Sequence, residues 1–270
     1  MVALGALEAA RTFALTHELP SDELAVLKDG SNLIVHLRPA PVVLRIATLT
    51  ARARGDPLPY VAREVELGSY LARVGAAVMP ASPLVAPGPY VVAGWTLSAW
   101  GYVEHEPGVV PDVQAAFGAL DELHAAMRDF PGELPLLNPA TDDFDRVLRF
   151  SVNEGLVSRD RAADLTGRRD LLLVGLLGLA SDRQALHGDA FASNAMRTKA
   201  GVVWLDLEDC CSGPAVWDLA IFVRRDPEPG LVAEVERRHG RAALAAATSL
   251  RHVQVEPWKL IHAARSERGW

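Results

Sequence analysis

The chain opens with helical rhythm and then shifts to strands. Over residues 1 to 20 apolar and polar positions fall at helical spacing, which predicts a leading helix ended by Pro20. Short apolar runs follow at Leu24–Leu27, Leu33–Leu37 and Pro41–Ile46, separated by turn chemistry at Asp29-Gly30-Ser31-Asn32 and Pro39-Ala40-Pro41. They read as three antiparallel strands with one small loop. A helical stretch covers Tyr60–Val74, and Tyr90–Ala93 and Thr96–Val103 add two strands, giving a sheet of about five. Glu104–Gly108 breaks the pattern. Helical spacing then returns over Asp112–Met127, with Val113, Phe117, Leu120 and Leu123 on one face and Asp112 as N-cap. A proline-rich connection (131–142), helices over Phe144–Asn153 and Arg159–Leu179, and a helical remainder over Arg224–Trp270 complete an α+β outline.

Between the last two helical regions lies the stretch with the most chemistry, LHGDAFASNAMRTKAGVVWLDLEDCCSGPAVWDLA, residues 186–220. Residues 195–197 and 202–205 are short, mostly apolar runs around Thr198-Lys199-Ala200-Gly201, which predicts a β-hairpin. Pairing symmetric about Ala200 sets 197 opposite 203 and Asn194 opposite Asp206. Opposed Cβ atoms lie about 4.5–5.5 Å apart, so an amide oxygen and a carboxylate there can share one hard cation, and Mg2+ favours oxygen ligands and phosphate company. Asp189 is left for a different task.

Composition narrows the alternatives. Half of the 270 residues are hydrophobic, enough for a substantial core. The net charge of −7 argues against a general nucleic-acid binder, which needs clustered positive charge. The basic pairs at 168–169, 224–225 and 237–238 read as solvated helix faces. The two cysteines are adjacent, Cys210 and Cys211, so neither a disulfide framework nor zinc spacing is present, and a cytoplasmic home is expected. Val74–Val103 carries no charge, but four prolines and four glycines break it, so a loop with buried strands is expected and no membrane span. No GxGxxG, Walker or GxSxG pattern occurs.

The combination HGD, Asn194, Asp206 and WDLA resembles the phosphotransferase family of aminoglycoside kinases, choline kinases and other small-molecule kinases with a protein-kinase-like fold. HGDxxxxN is similar to the HRDxxxxN catalytic loop of protein kinases. The resemblance implies residues 1–103 as an ATP-binding lobe, 104–108 as a hinge, and 109–270 as a helical lobe with the catalytic loop, metal site and substrate cleft. It implies Asp189 as catalytic base, Asn194 and Asp206 as Mg2+ ligands, and His187 and Asp218 as supports of the catalytic loop. Ser31 and Asn32 would lie over the phosphates. Arg45, paired with Glu64, would meet the α and β oxygens, and Glu104, His105 and Glu106 would offer backbone groups to adenine. The expected reaction moves the γ-phosphate of ATP or GTP to a hydroxyl of a small molecule: an aminoglycoside or other antibiotic, another natural product, a sugar, choline or an amino-acid alcohol. A monomer or homodimer is expected.

Several readings stay open. Ser31 and Asn32 also fit an ordinary turn, and Arg45 also fits a strand-end surface position. Glu208 and Asp209 lie near the metal or are solvated, while Asp142, Asp143 and Asp145 receive an amine or form a solvated loop. Only 12 positions separate Asp206 from Asp218, too few for the activation segment of a protein kinase. A nucleotide-binding pseudokinase acting through protein contacts is the alternative from another class.

Overall fold

The computed structural model describes residues 2–105, 108–180, 182–225 and 228–268. A helix α1 (Val2–Thr16) precedes three antiparallel strands, β1 (Ser21–Asp29), β2 (Asn32–Pro39) and β3 (Val42–Ala47). Helices α2 (Leu49–Arg54) and α3 (Leu58–Arg73) follow, then β4 (Tyr90–Val92) and β5 (Trp95–Gly101). The sheet order is β1-β2-β3-β5-β4, which makes β3 its middle strand.

Strand alternation assigns the two faces of this sheet. Leu33, Val35, Leu37, Val42, Leu44, Ile46, Leu97 and Ala99 pack with Ala6, Ala10 and Phe13 of α1. The intervening residues face the other way. Arg45 therefore stands beside Ile34 on β2 and Ser98 on β5, on the side covered by α3, and is 3% exposed. The middle strand buries Arg45; it is not a strand-end surface residue.

The rest of the chain is mainly helical: α4 (Val113–Met127), α5 (Asp142–Asn153), α6 (Arg159–Leu179), α7 (Val216–Arg225), α8 (Pro229–His239), α9 (Arg241–Gln254) and α10 (Glu256–Arg268). Asp112 caps α4 through bonds from the Gln114 and Ala115 amides. Among them sit two small antiparallel pairs, β6 (Gln184–Leu186) with β9 (Cys211–Gly213), and β7 (Ala195–Thr198) with β8 (Gly201–Trp204). The architecture is α+β, an antiparallel N-terminal sheet followed by a helical region. No helix among the described residues is long and apolar enough to cross a membrane.

Two features differ from expectation. The hairpin closes one residue tighter, with Thr198 opposite Gly201 and Lys199-Ala200 alone in the loop. Thr198 fixes this by accepting from the Ala200 amide (3.1 Å) and donating to the Gly201 carbonyl (2.9 Å). Asn194 consequently stands opposite Leu205, whose amide donates to its carbonyl at 2.8 Å, and Asp206 lies one step beyond. The second feature is α2, six residues long and too short to show a helical period. Its Leu49 and Ala53 pack with Val147 of α5 and Ile261 of α10, fastening the region after β3 to the C-terminal helices.

Candidate active site

The loop after β6 is held from beneath. Asp218, fully buried on α7, accepts from the His187 and Gly188 amides (2.8 and 2.9 Å) and from His124 Nε2 on α4 (2.9 Å). Burial alone would raise its pKa, but the His124 bond and charge and the His187 contacts outweigh it and hold the carboxyl below its ordinary range. His187 Nε2 lies 2.8 Å from the Leu205 carbonyl, so that nitrogen carries the proton. His187 Nδ1 is then free to accept from the Asp189 amide at 3.3 Å. Trp217 Nε1 donates to the Gly188 carbonyl at 3.1 Å. Gly188 has φ +85, and a Cβ there would lie 1.9 Å from the Asp209 carbonyl oxygen. A glycine is thus needed both for the backbone conformation and for the close approach of the turn Leu207–Asp209.

Asp189 emerges from this loop with both carboxylate oxygens engaged. Asn194 Nδ2 donates to its Oδ2 (3.1 Å) and to its carbonyl (2.9 Å). Arg251, 3% exposed on α9, donates to Oδ1 and also to Gln254 (2.5 Å). With its amide nitrogen turned to Asp189, Asn194 has its acceptor oxygen left for a cation.

Arg45 gathers three carboxylates: Glu64 at 3.1 Å, Asp206 at 2.9 Å and Glu208 at 2.5 Å. Arg54 of α2, equally buried, gathers Asp143 and Asp209 at 2.6 Å and Glu208 at 3.0 Å, with its guanidinium 4.2 Å from the Tyr60 ring centre. Five carboxylates therefore surround two guanidinium groups. Glu208, touched by both arginines, overcomes its burial and sits at about 2. Glu64, Asp206 and Asp209 bear the shortage. Burial, reinforced by neighbouring acids, pushes Glu64 to about 7 and Asp209 to about 8, and Asp206 is raised for the same reason. Asp206 also holds a left-handed backbone, φ 65, of the kind that stores strain at functional sites.

The Asn194 amide oxygen and the Asp206 carboxylate are hard oxygen donors of the type Mg2+ takes. No set of three or more His, Cys, Asp or Glu side chains gathers at metal-binding spacing among the described residues, so one or two protein oxygens completed by phosphate is the suitable mode. A divalent cation would also relieve the surplus of negative charge.

A cavity of about 560 Å3 is lined by Asp189, Asp206, Glu208 and Asp209 together with Ser31, Thr50, Arg54 and residues of α9 and α10. A second, of about 380 Å3, is lined by Tyr102, Glu104, His105 and Arg197–Lys199. There His105 bridges to Thr198, and the exposed Glu104 and Lys199 pair at 3.1 Å. Glu106 lies outside the described residues. The Asn32 side chain is buried and turned inward, donating to Glu208 (3.1 Å) and accepting from Thr50 (2.5 Å). Ser31 shares a hydrogen bond with His262 of α10 (3.3 Å), and Arg265 of α10 binds Asp29 (2.5 Å) and the Gly30 carbonyl (2.7 Å). The 29–32 loop is therefore tied to the C-terminal helix.

The three acids at 142–145 are not one loop. They fall in the first turn of α5: Asp142 pairs with Arg146 on the surface, Asp145 with Arg169, and Asp143, 1% exposed, with Arg54 and Trp258. The described lining of the larger cavity also contains no residue of 131–180. Arg54, Asp143 and Arg251 had no signal in the sequence beyond charge. Their partners lie 89, 155 and 62 positions away, beyond any local pattern.

An antiparallel sheet followed by helices, with a braced Asp189 beside Asn194 and Asp206, defines a protein of the kinase-like fold class. The chain belongs to the phosphotransferase enzyme family (APH), whose model matches residues 24–251. Solved structures of this fold include an amicoumacin kinase in complex with AMP-PNP and Ca2+, 15% identical, covering 93% of this chain and 85% of that one at a TM-score of 0.64. An aminoglycoside-3'-phosphotransferase of type VIII is 20% identical, covering 92% and 99% at 0.62. A choline kinase from Streptococcus pneumoniae is 12% identical, covering 96% and 92% at 0.64. No curated protein matches the chain.

Proposed function

We propose that the protein transfers the γ-phosphoryl group of ATP or GTP to a hydroxyl of a small molecule, with Mg2+. The observation that carries this reading is Asp189, its carboxylate fixed by Arg251 and Asn194 at the edge of a cavity shared with Asp206. A carboxylate so held orients the acceptor hydroxyl and takes its proton. The acceptor oxygen bonds to the γ-phosphorus while the bond to the β–γ bridging oxygen breaks, its electron pair leaving with the nucleoside diphosphate. Mg2+, held by Asn194 and Asp206, would supply charge neutralisation at the phosphate oxygens.

The other residues prepare the site. Arg45, fixed by Glu64 in the middle strand of the sheet and bonded to Asp206, would turn its guanidinium to the α and β oxygens. Asn32 and Thr50 brace Glu208, which in turn sets the spacing of Arg45 and Arg54. The smaller cavity, beside backbone of residues 102–105, suits a nucleobase, which supports reading 104–108 as a hinge between two lobes. The buried, reduced pair Cys210 and Cys211 accords with a cytoplasmic location.

The test is thermal stabilisation by ATP or GTP with and without Mg2+, followed by labelled transfer to hydroxylated compounds. Asp189→Asn should lose about 10²-fold or more in transfer, the usual contribution of a general base, while nucleotide stabilisation persists. Undiminished turnover in Asp189→Asn would exclude the assignment.

A further inference from the structure

The turn between β1 and β2 is held at two points by two different parts of the chain. At its base the Ser31 carbonyl accepts from the Thr50 amide (3.0 Å) and from Thr48 Oγ1 (3.2 Å), and the Asn32 side chain bonds Thr50 and Glu208. These contacts tie residues 31–32 to the start of α2. The tip, Asp29-Gly30, is gripped from α10. Arg265 Nη1 donates to the Gly30 carbonyl at 2.7 Å and to the Asp29 carbonyl at 3.4 Å, and Nη2 donates to Asp29 Oδ1 at 2.5 Å. One turn earlier, His262 Nε2 lies 3.3 Å from Ser31 Oγ.

The two partners of this grip differ in how firmly they are built. On α10, Trp258 and Ile261 pack with Leu49, Ala53 and Val147, and Trp258 Nε1 donates to the buried Asp143 at 3.3 Å. On the other side Asp29 is exposed, and the β1–β2 ladder slips between Val26 and Lys28, just ahead of the turn. A planar guanidinium fork from a packed helix therefore restrains a lightly held tip, and its bonds to one short segment form and break as a unit.

Resting on the kinase reading above, in which nucleotide phosphates lie beneath this turn, we infer that Arg265 is a latch on the phosphate loop: nucleotide enters and leaves only while the fork is off Asp29 and Gly30. Arg265 is a positioning residue, acting through the turn and not by touching phosphate. Phosphate takes N–H groups, whereas Arg265 takes two carbonyls and a carboxylate, so the same grip serves the free and the loaded protein. A latch of that kind slows association and dissociation together and leaves affinity as it was.

Two measurements keep the latch distinct from the reading it rests on. In the nucleotide-free full chain, hydrogen exchange of peptides spanning residues 26–34 should quicken about tenfold or more in Arg265→Gln, because bonds from a charged donor are lost. Unchanged exchange would overturn the latch whatever nucleotide does. Stopped-flow binding of mant-AMP-PNP with Mg2+ is the second. No binding to the parent protein would overturn the kinase reading and the gating role together, with exchange still deciding whether the grip exists. In Arg265→Gln both rates should rise about tenfold with Kd unchanged. Arg265→Lys, which keeps the charge without the fork, should fall between. Asp29→Asn, a change at an exposed tip that removes only the carboxylate, should move both rates the same way by less, and it remains decisive if Arg265→Gln folds poorly. Association unchanged or slower in these variants, or dissociation alone made faster, would overturn the gate.

Discussion

Replacing Gly188 with alanine tests the most crowded backbone contact in the site. Two costs are separable. The first is conformational: alanine at φ +85 costs about 1–2 kcal/mol relative to a right-handed position. The second is steric, because the new Cβ would meet the Asp209 carbonyl oxygen at 1.9 Å and carbon at 2.6 Å, both backbone atoms. Displacing packed backbone to admit one methyl costs about 1–3 kcal/mol. Gly75 supplies the control, since it has φ +78 and nothing within 4 Å of its notional Cβ. Gly75→Ala should therefore lose only the first term, and Gly188→Ala both, about 2–5 kcal/mol in all. Urea unfolding reads the difference directly, and in a chain of this size each kcal/mol corresponds to about 2–4 °C in Tm. Gly188→Ala should also weaken Mg2+-dependent nucleotide binding, because the displaced Asp209 carries Arg54 with it. Equal destabilisation by the two variants would refute the steric argument, and a Gly188→Ala protein as stable as the parent would refute both.

Two other perturbations address the buried charges. Asp218 has a folded pKa below its unfolded value of about 3.9, so its contribution is complete above that value and disappears as pH falls through the folded one. Asp218→Asn should lower stability at neutral pH and flatten the acid limb of a Tm-versus-pH curve; an unchanged limb would show that the loop is braced otherwise. Arg54→Met should cost about 3–5 kcal/mol, because Asp143, Asp209 and Glu208 are left as buried acids short of a partner. Adding Asp143→Asn should recover part of that loss in a double-mutant cycle, and strict additivity would deny their coupling.

The sheet, the main helices and the nearness of Asn194 to Asp189 were legible because each is written locally. Apolar alternation outlines β2 and β3, a capped period outlines α4, and HGDxxxxN compresses a loop into eight positions. The pairing of Arg45 with Glu64 was legible too, since a lone cation in an apolar strand calls for a partner. Other features were hidden for physical reasons. The hairpin register depended on a Thr198 side chain bonding its own turn, which no apolar pattern encodes. Asp143 looks like its exposed neighbour Asp142 until Arg54 arrives from 89 residues away. The larger cavity is lined in part by side chains that come together only after α9 and α10 have packed.

That last helix joins two events that chemistry keeps separate. Trp258 and Lys259 line the cavity into which Asp189 opens, while His262 and Arg265, one and two turns later, grip the 29–32 loop. A single rod thus touches the cavity before Asp189, where the proposed acceptor would enter, and the loop under which nucleotide phosphates would lie. Any shift that one ligand imposes on α10 is felt by the other, and thermodynamic linkage makes the effect mutual: the factor by which acceptor changes nucleotide affinity equals the factor by which nucleotide changes acceptor affinity. The two substrates of this protein are expected to bind as interdependent guests, with α10 as the lever between them.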